Sequence, residues 1–515
     1  MDRNLYSRLA AFFPADAPGT RFAELGEGRT YSYGDVEEVS ARFANALLAL
    51  GVRPGDRVAA QVEKSIEAVM LYLGTVRAGA AFLPLNTAYT PAEIDYFLAD
   101  AEPAIFVCDP ARAATLRPVA ESKGARLETL GVWRSPQLSA GSLADRALSA
   151  SPRFATVPRG DDDLAAILYT SGTTGRSKGA MLTHDNLASN ALALRDIWRF
   201  TDKDVLLHAL PIFHTHGLFT AINTLMAAGG QLIFLPRFSV DEVIAALPRA
   251  TSMMGVPTFY TRLLADARLS RERVAHMRLF ISGSAPLTAA THEAFAARTG
   301  HAILERYGMT ETSMNTSNPY EGERRAGTVG FAIPGVELRI ADPQTGEEKT
   351  QGEIGVIEVK GRNVFKGYWR MPEKTAAEFR NGFFVTGDLG LIDQDGYVHI
   401  VGRAKDLIIS GGLNIYPKEI EAALDSLPGV AESAVIGVPD ADFGEAVIAL
   451  VVPENGLRPQ PERLAAALRE RLAGFKQPKR IVLVKELPRN AMGKVEKARL
   501  RASFAEALHV DQAGE

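Results

Sequence analysis

A run of small polar residues directly after an apolar stretch could hold a polyphosphate. The run consists of Thr170, Ser171, Gly172, Thr173, Thr174, Gly175, Arg176, Ser177, Lys178 and Gly179. Glycine lets the backbone approach an anion closely, hydroxyl and N–H groups donate to phosphate oxygens, and lysine adds a point charge. Such a composition is also typical of a plain surface loop. The Walker pattern needs glycine directly before the lysine and Ser or Thr after it, so Ser177 and Gly179 exclude an ordinary P-loop kinase or ATPase.

Other polar residues carry two interpretations each. His214 and His216 would point to opposite faces of an extended chain, which disfavours a metal pair. Arg262 lies among apolar residues, where an arginine usually extends to the surface; the alternative is a buried guanidinium that binds a carboxylate. Lys494 follows Gly493 in a turn, and composition alone indicates a solvated hairpin lysine.

The polar run resembles, almost letter for letter, the phosphate loop of the adenylate-forming enzymes. This family comprises acyl-CoA synthetases, adenylation domains of peptide synthetases and luciferases. Its further motifs recur in the same order over almost the whole chain, at residues 210–217, 279–286, 305–312, 384–390, 402–406, 409–417 and 487–495. The resemblance implies an enzyme that converts a carboxylic acid and ATP into an acyl-adenylate and then passes the acyl group to a thiol.

The resemblance also implies an ATP and magnesium site. Tyr307 offers a ring face for adenine, Thr310 can donate to the α-phosphate, and Glu311 is an oxygen ligand suited to Mg²⁺. By resemblance Asp388 holds the ribose, because a carboxylate can accept two hydrogen bonds from a vicinal diol, and Arg403 reaches the ribose or a phosphate. The other implied ATP-binding residues are Thr170, Ser171, Gly172, Thr173, Thr174, Gly175, Lys178, Gly283, Ala285, Pro286, Glu305, Arg306 and Gly308.

Catalysis and CoA binding are implied in the same way. His214 matches a residue that lines the acyl pocket, and Lys494 matches the essential lysine that contacts the acyl carboxylate and the α-phosphate. Lys405 matches the hinge about which a small C-terminal domain rotates. Gly411 and Gly412 match a loop that the pantetheine arm of CoA passes. Acetylation removes a lysine charge and regulates bacterial family members, so a lysine acetyltransferase acting on Lys494 is an expected partner.

Within the family, the chain resembles the malonyl-CoA synthetases over most of its length, in the segments around His214, Arg262 and Met314. This implies malonate, or a methyl-substituted malonate, as the acid. Arg262 could neutralise the second carboxylate with a two-pronged pair, and Ser284 could add a hydroxyl donor. Thr215 and Met314 would then border the central carbon and limit its substituents to about a methyl group.

Helices and strands must position these residues, and their signals alternate along the chain. The predicted helices are Tyr33–Leu50, Ser65–Ala78, Pro91–Asp100, Thr183–Leu194, Pro417–Ser426 and Pro461–Leu472. The predicted strands include Asp56–Val62, Ala81–Leu85, Ala104–Cys108, Leu164–Tyr169, Gly355–Val359, Ala434–Val438 and Ala446–Val452, and Leu279–Pro286 is predicted as a strand that runs into a tight loop. Alternation of this kind predicts parallel sheets in βαβ units.

Together with the resemblance, these elements predict an α/β protein of the adenylate-forming fold. A large N-terminal domain of parallel-type βαβ sheets plus a β-barrel-like part would span residues 1–402 and bind ATP and the acyl group. A hinge would lie at residues 403–406, and a small mobile α+β domain would occupy residues 407–515. The length of 515 residues agrees with more than one domain.

Composition narrows the function classes. The 46% hydrophobic and 23% charged residues are typical of a soluble globular protein, and the net charge of −4 offers no basic footprint for nucleic acid. Cys108, the single cysteine, cannot form an internal disulfide, which fits a reducing compartment. Without a signal-peptide pattern or an apolar run of the ~18 residues that span a membrane, we expect a cytoplasmic protein with neither nucleic-acid nor membrane partners.

Several alternatives remain open. The enzyme could join CoA to another short or medium carboxylic acid, load a carrier-protein thiol, or act as a luciferase-like oxygenase. The chain contains no recognisable carrier domain, which disfavours an all-in-one loading unit. A nucleotide-binding regulator without chemistry is disfavoured because Lys494, Glu311 and Asp388 are all present.

Overall fold

The computed structural model of the chain describes residues 2–131, 141–170, 177–410, 413–440, 443–490 and 493–512. Within these ranges the strands are β1 (Arg21–Glu24), β2 (Thr30–Ser32), β3 (Arg57–Gln61), β4 (Ala81–Pro84), β5 (Ile105–Cys108), β6 (Arg126–Thr129), β7 (Leu164–Thr170), β8 (Lys178–Thr183), β9 (Val205–His208), β10 (Gln231–Phe234), β11 (Ser252–Gly255), β12 (Leu279–Ser282), β13 (Leu304–Met309), β14 (Ser313–Ser317), β15 (Phe331–Ala332), β16 (Val336–Ala341), β17 (Gly355–Gly361), β18 (Gly367–Tyr368), β19 (Phe379–Arg380), β20 (Phe383–Ile392), β21 (Val398–Arg403), β22 (Ile408–Ser410), β23 (Leu413–Ile415), β24 (Val430–Asp440), β25 (Gly444–Pro453) and β26 (Arg480–Leu483). The α-helices are α1 (Leu5–Ala10), α2 (Tyr33–Ala49), α3 (Ile66–Arg77), α4 (Pro91–Ala101), α5 (Ala113–Ser122), α6 (Ser142–Ser149), α7 (His184–Ile197), α8 (Thr224–Met226), α9 (Val240–Ala246), α10 (Pro257–Leu264), α11 (Ala289–Thr299), α12 (Pro372–Ala377), α13 (Pro417–Asp425), α14 (Pro461–Arg469) and α15 (Lys497–Gln512).

Two large sheets form the N-terminal part. One has the order β15-β14-β13-β12-β11-β9-β10-β1-β2, and its central strands from β13 to β1 run parallel. The other has the order β18-β8-β7-β4-β3-β5-β6, and its strands from β7 to β6 run parallel. Helices connect successive parallel strands, for example α3 between β3 and β4. The predicted βαβ architecture is therefore confirmed.

Local sequence signals explain where several helices begin. Ser32 and Asp35 form a reciprocal capping box at the start of α2, and Thr90 and Glu93 form another at α4, where Pro91 occupies the first turn. Each box satisfies two backbone N–H groups that a helix start leaves free. The predicted helix at residues 183–194 is α7, which extends three residues further and has Thr183 as its cap.

Tight contacts fix these elements against one another. A Cβ atom added at Gly74 of α3 would stand 2.7 Å from Cβ of Phe43 in α2, so only glycine allows these helices to approach so closely. Trp198, fully buried after α7, donates from its indole nitrogen to Ser317 Oγ of β14 at 2.9 Å. Because buried indole N–H groups need a partner, this bond connects α7 to the edge of the nine-stranded sheet.

Two smaller sheets complete the fold. The antiparallel strands β16, β17, β19, β20 and β21 form the strand-rich part that was predicted as barrel-like. After β21, the C-terminal segment forms its own sheet with the order β23-β22-β25-β24, to which β26 adds in parallel. Helices α13 and α14 pack against this sheet over a separate apolar core, which agrees with a small α+β domain.

The nine-stranded sheet gathers polar residues along one edge. Strands β9, β11, β12 and β13 are neighbours and parallel, and their registers align Met254 with His208, Gly255 with Ser282, and Ser282 with Glu305. The chain segments that follow all four strands therefore leave the sheet at the same edge. Ligands of open α/β sheets bind outside the carboxyl ends of the strands, so this edge is where a site is expected.

Glu305 is an acidic group inside this edge. It is 6% exposed, its Oε1 accepts the N–H of Leu287 at 3.1 Å, and its Oε2 has no hydrogen-bond partner among the described residues. Burial raises the pKa of the Glu305 carboxyl to about 7. The unfolded chain therefore ionises at lower pH than the folded one, and the contribution of Glu305 to stability is lost as the pH rises towards 7.

Replacement of Glu305 by Gln should remove this dependence. We expect the unfolding free energy of Glu305→Gln to equal that of wild type below pH 4.5 and to exceed it at pH 8 by up to about 3 kcal/mol, because the Glu305 pKa is raised to about 7 in the folded state. Urea unfolding at several pH values measures this, with the exposed Glu293→Gln as the matched control. Parallel pH profiles for wild type and Glu305→Gln would contradict the assignment.

Candidate active site at the carboxyl edge of the parallel strands

Tyr307, Asp388 and Arg403 form a polar group at the junction of the nine-stranded and antiparallel sheets. The Tyr307 hydroxyl donates to Asp388 Oδ2 at 2.6 Å, and Arg403 Nε lies 2.8 Å from Asp388 Oδ1. Asp388 and Arg403 are register partners on β20 and β21. The Asp388 carboxylate raises the pKa of Arg403, while burial, reinforced by Asp388, raises the pKa of Tyr307. The structure thus brings together three residues that the sequence assigned to the nucleotide.

Glu311 presents a buried carboxylate beside this group. Its Oε1 lies 3.0 Å from the Tyr368 hydroxyl oxygen and accepts a hydrogen bond from Thr170 Oγ1 at 3.4 Å. Burial raises the pKa of Glu311, and a cation at this position would favour the ionised form. No group of three acidic, His or Cys side chains forms a metal cage in the described part of the chain. The arrangement fits Mg²⁺, which is commonly held by one or two carboxylates, substrate phosphates and water.

Lys178 lies next to Glu311 but has an acidic partner of its own. Its Nζ lies 3.1 Å from Glu378 Oε1 and 4.0 Å from the ring centre of Tyr368. Glu378 Oε2 also accepts from the Tyr368 hydroxyl at 2.7 Å. A bound phosphate would therefore compete with Glu378 for the lysine. The predicted phosphate-loop residues Ser171, Gly172, Thr173, Thr174 and Gly175 lie outside the described residues, and the phosphate role of Lys178 stays a prediction.

A buried guanidinium occupies the acyl side of the edge. Arg306 of β13 is 3% exposed, and its Nε and Nη2 atoms have no hydrogen-bond partner among the described residues. A Cβ atom added at Gly283 would stand 2.6 Å from Arg306 Nε, so glycine makes room for the guanidinium. Burial lowers the pKa of Arg306 to about 9. Arg306 therefore stays protonated at neutral pH with unused hydrogen-bond donors.

Residues predicted to surround the acyl group lie around Arg306. His214 is half-buried, and enclosure together with the positive charges of Lys494 and Arg306 lowers its pKa to about 3. Thr215 and Met314 are both buried, and the Thr215 hydroxyl has no partner in the described part of the chain. Ser284 has φ +71°, a left-handed conformation that is uncommon outside glycine and is often found at functional sites.

The segment that carries the two histidines is not extended, so the condition under which they would point to opposite faces does not apply. His216 begins a π-helix over His216–Asn223, with Thr215 as its N-cap. A Cβ atom at Gly217 would stand 2.9 Å from the carbonyl carbon of Pro211, so the tight approach at the helix start requires glycine. π-Helices are rare and frequent at functional sites. His216 is fully buried, and its Nδ1 lies 3.1 Å from Ser284 Oγ.

Arg262, the residue that the sequence nominated for the second carboxylate, is exposed on α10. Of the two interpretations of this residue, extension to the surface agrees with the structure, and a buried guanidinium does not. The buried guanidinium is Arg306, which the sequence assigned to ATP. Because an exposed arginine can still extend to a bound substrate, the role of Arg262 in binding the second carboxylate stays a prediction.

Lys494 of the small domain faces the large domain. Gly493 and Lys494 lie in the predicted tight turn, where Lys494 N–H donates to Asn490 Oδ1 at 3.0 Å, and a Cβ atom at Gly493 would stand 3.6 Å from Thr258 Oγ1 of α10. Lys494 is exposed as a residue, while burial of its ammonium by surrounding protein and the charge of Arg403 lower its pKa. Asp388 and Glu311 act in the opposite direction. The lysine is thus placed over the proposed nucleotide site.

Ion pairs delimit the predicted hinge. Arg403 is held to Asp388 of the large domain at 2.8 Å, and Asp406 is held to Arg501 of the C-terminal helix α15 at 2.6 Å. Only Ala404 and the exposed Lys405 lie between these anchors, in a short 3₁₀ turn. A rotation of the small domain would therefore concentrate at Lys405. Gly411 and Gly412, predicted for CoA, lie outside the described residues.

Thr310, Gly308, Ala285 and Pro286 lie in the segments that connect these groups. Gly308 is required sterically, because a Cβ there would collide with the backbone oxygen of Ser313. Sequence reasoning missed Tyr368 and Glu378, which join Lys178 to Glu311, and it gave His216 no role. No motif in the sequence marks Tyr368 and Glu378, since their function follows from a contact over about 200 residues of chain. A hydropathy search of the described helices finds none that could cross a membrane.

Comparison with known proteins identifies the family. The AMP-binding enzyme family matches residues 9–369, and the AMP-binding enzyme C-terminal domain matches residues 419–494. The chain is 34% identical to a malonate–CoA ligase of Arabidopsis thaliana over 96% of this chain and 88% of that protein. It is 38% identical to a feruloyl-CoA synthase of an Amycolatopsis species over 93% of this chain and 94% of that protein.

A solved structure extends the likeness to domain arrangement. The ATP-bound structure of MatB from Rhodopseudomonas palustris is 59% identical over 98% of this chain and 100% of that protein, with a TM-score of 0.95. The ligand-free structure of the same protein gives a TM-score of 0.85. The chain as a whole therefore superposes more closely on the ATP-bound structure than on the ligand-free one. The matched families, the relatives and the geometry lead to one conclusion: the chain belongs to the AMP-binding family of adenylate-forming enzymes, on its acyl-CoA ligase branch.

Proposed function

We propose that the protein joins malonate, or methylmalonate, to coenzyme A through an acyl-adenylate and releases AMP and pyrophosphate. One observation carries the choice of acid: Arg306 is a buried guanidinium with unused donors beside Ser284 and His214. Similarity to the malonate–CoA ligase of Arabidopsis supports the same acid.

The charge of Arg306 favours an acid with a second carboxylate. A buried charge without a partner costs several kcal/mol, so a substrate that pairs with it gains binding energy. A monocarboxylic acid would use its single carboxylate to attack ATP and leave Arg306 unpaired. A short dicarboxylic acid presents one carboxylate to ATP and the other to Arg306, with Ser284 as an additional donor.

Enclosure limits the size of this acid. Thr215 and Met314 are both buried, and we propose that they border the central carbon of the acid; the Met314 backbone is held in place because Asn190 donates from Nδ2 to its carbonyl at 3.0 Å. Interiors packed in this way accommodate an additional methyl group but few larger substituents. We therefore assign malonate and methylmalonate rather than longer dicarboxylic acids.

The first step is attack of the free carboxylate on the α-phosphate of ATP. Lys494 sits where it can contact both reacting groups, Thr310 can donate to the α-phosphate, and Glu311 would hold Mg²⁺, which supplies charge neutralisation to the phosphates when bound. Positive groups placed where charge develops lower the barrier to phosphoryl transfer. Lys178 would move from Glu378 to the terminal phosphates, while Asp388 and Arg403 position the ribose.

The second step needs a different arrangement. Lys494 occupies the cleft, so a thiol can reach the acyl carbon only after the small domain has rotated. The anchors of Arg403 and Asp406 to opposite domains leave Lys405 as the point of rotation. We propose that this movement brings the loop of Gly411 and Gly412 to the pantetheine arm of CoA, as a gating step of the kind common in two-step enzymes.

Accessibility of Lys494 also supports a regulatory partner. Lys494 is exposed as a residue, and acetylation would remove the charge that the first step needs. We propose that a lysine acetyltransferase can inactivate adenylation at Lys494.

Ligation of a bulkier acid is the second candidate, because a feruloyl-CoA synthase is 38% identical to the chain. An aromatic monocarboxylic acid would bury an apolar ring against the guanidinium of Arg306, which sites for such acids avoid. Loading of a carrier-protein thiol shares the first step with CoA ligation. The two reactions differ in the thiol that accepts the acyl group, so an assay with each thiol distinguishes them.

A substrate panel on wild type, Arg306→Met and Arg262→Leu tests the choice of acid. We expect wild type to use malonate far better than acetate, propionate, succinate, hexanoate and ferulate, since sites built for a polar group reject analogues without it by ~10⁴. Arg306→Met should lower kcat/KM for malonate by ~10²–10³ through loss of a buried ionic partner. The exposed Arg262→Leu should lower it less. A wild type that prefers a monocarboxylic acid, or an Arg306→Met enzyme that still prefers malonate, would refute the proposal.

Lys494→Ala should abolish adenylation and spare the thioester step from supplied malonyl-adenylate. Loss of one well-placed transition-state donor typically lowers the rate ~10²–10³-fold. ATP–pyrophosphate exchange measures the first step, and malonyl-CoA formation from the adenylate measures the second. Lys497→Ala, which removes a small-domain lysine that pairs with Glu421, is the control. Near-normal pyrophosphate exchange in Lys494→Ala would overturn its assignment.

Lys405→Pro should have the opposite effect to Lys494→Ala: it should spare adenylation and block thioester formation. Proline fixes φ near −65°. This value is compatible with the 3₁₀ turn that contains Lys405 in the present orientation of the small domain. We therefore expect adenylation to survive and thioester formation to collapse, whereas Lys405→Ala should retain both. Equal loss of both steps in Lys405→Pro would show that Lys405 is an ordinary linker residue.

A further inference from the structure

His216 is a buried histidine that the proposed reaction does not use. It is fully buried at the start of the π-helix, and its only hydrogen-bond neighbour through the ring among the described residues is Ser284 Oγ, 3.1 Å from Nδ1. Ser284 itself stands in a left-handed conformation with φ +71°. Non-glycine residues in that region are strained and persist only when the surroundings hold them. The contact between His216 and Ser284 is therefore part of what holds the serine.

The His216 ring is neutral. Burial, followed by the positive charge of Arg306, lowers its pKa well below the usual value. A neutral imidazole carries one N–H and one lone pair, so its tautomer decides the direction of the bond to Ser284. Nε2 is buried without a partner among the described residues.

The unpartnered Nε2 favours one tautomer. Buried N–H groups without an acceptor are rare, and acceptors without a donor are tolerated better. The proton therefore belongs on Nδ1, where it is donated to Ser284 Oγ. In this state the single proton of the Ser284 hydroxyl is not used by His216 and can point into the pocket.

We propose that His216 is a positioning residue that fixes Ser284 as a hydrogen-bond donor to the second carboxylate of the acid. His216 gives its Nδ1 proton to Ser284 Oγ, and the Ser284 hydroxyl proton then joins Arg306 in binding the carboxylate. Both donors face an anion, so a neutral group at that place leaves them unsatisfied. This inference rests on the proposed function, and it makes His216 a determinant of dicarboxylate specificity without contact to substrate.

Steady-state kinetics of three variants test this role. His216→Phe removes the donor, His216→Asn keeps an N–H at about the same distance from the backbone as Nδ1, and Ser284→Ala removes the substrate contact. We expect His216→Phe to raise KM for malonate ~10–100-fold, the worth of a hydrogen bond to a charged group, with kcat and KM for ATP within a few-fold of wild type. His216→Asn should restore most of the loss, and the exposed His276→Phe serves as the matched control.

A double-variant comparison separates positioning from packing. His216→Phe combined with Ser284→Ala should bind malonate no worse than Ser284→Ala alone, because His216 acts through Ser284. Additive losses, an unchanged KM for malonate in His216→Phe, or an equal rise in KM for ATP would overturn the inference.

Nitrogen-15 NMR of histidine-labelled wild type tests the His216 tautomer directly. A variant at His216 is needed only to assign its signal. We expect the His216 ring to show a protonated Nδ1, and a ring protonated at Nε2 would overturn the inference. A wild type that does not use malonate refutes the proposed function itself. A wild type that prefers malonate and keeps its KM after His216→Phe refutes this inference alone.

Discussion

A positive charge buried at the carboxyl edge of parallel strands is the constraint on which this site depends. The Arg306 guanidinium is enclosed on β13 with two nitrogens unpaired among the described residues. That enclosure requires glycine at position 283, since any Cβ there would collide with the guanidinium. The neighbouring imidazoles of His214 and His216 are kept neutral by burial and by this charge. The pocket is therefore polarised to accept an anion.

The same edge couples the acyl pocket to the nucleotide site and to the small domain. Tyr307 follows Arg306 directly and binds Asp388, Asp388 binds Arg403, and Arg403 leads into the hinge. Changes at the nucleotide can thus reach the segment that carries Lys494. The better agreement with the ATP-bound than with the ligand-free relative suits a chain whose lysine already lies over the site.

Most of the fold and much of the site could be predicted from sequence, because periodicity and local caps are short-range signals. The bounds of α2, α4 and β5 follow the predicted segments closely, and Tyr307, Asp388 and Arg403 meet as their motifs implied. Burial of a particular arginine is a long-range property. Arg262 lies among apolar residues along the chain and Arg306 follows Glu305 directly, yet Arg306 is the one that packs against Gly283 and is enclosed. The pairing of Lys178 with Glu378 and the π-helix at His216 likewise depend on distant segments.

The most direct test of the central claim is a crystal structure of Lys494→Ala with ATP and malonate bound. The account predicts one malonate carboxylate within hydrogen-bond distance of the α-phosphate. The other should accept a bidentate pair from Arg306 and a hydrogen bond from Ser284. A malonate whose second carboxylate faces solvent, or pairs with Arg262 while Arg306 stays unpaired, would contradict it.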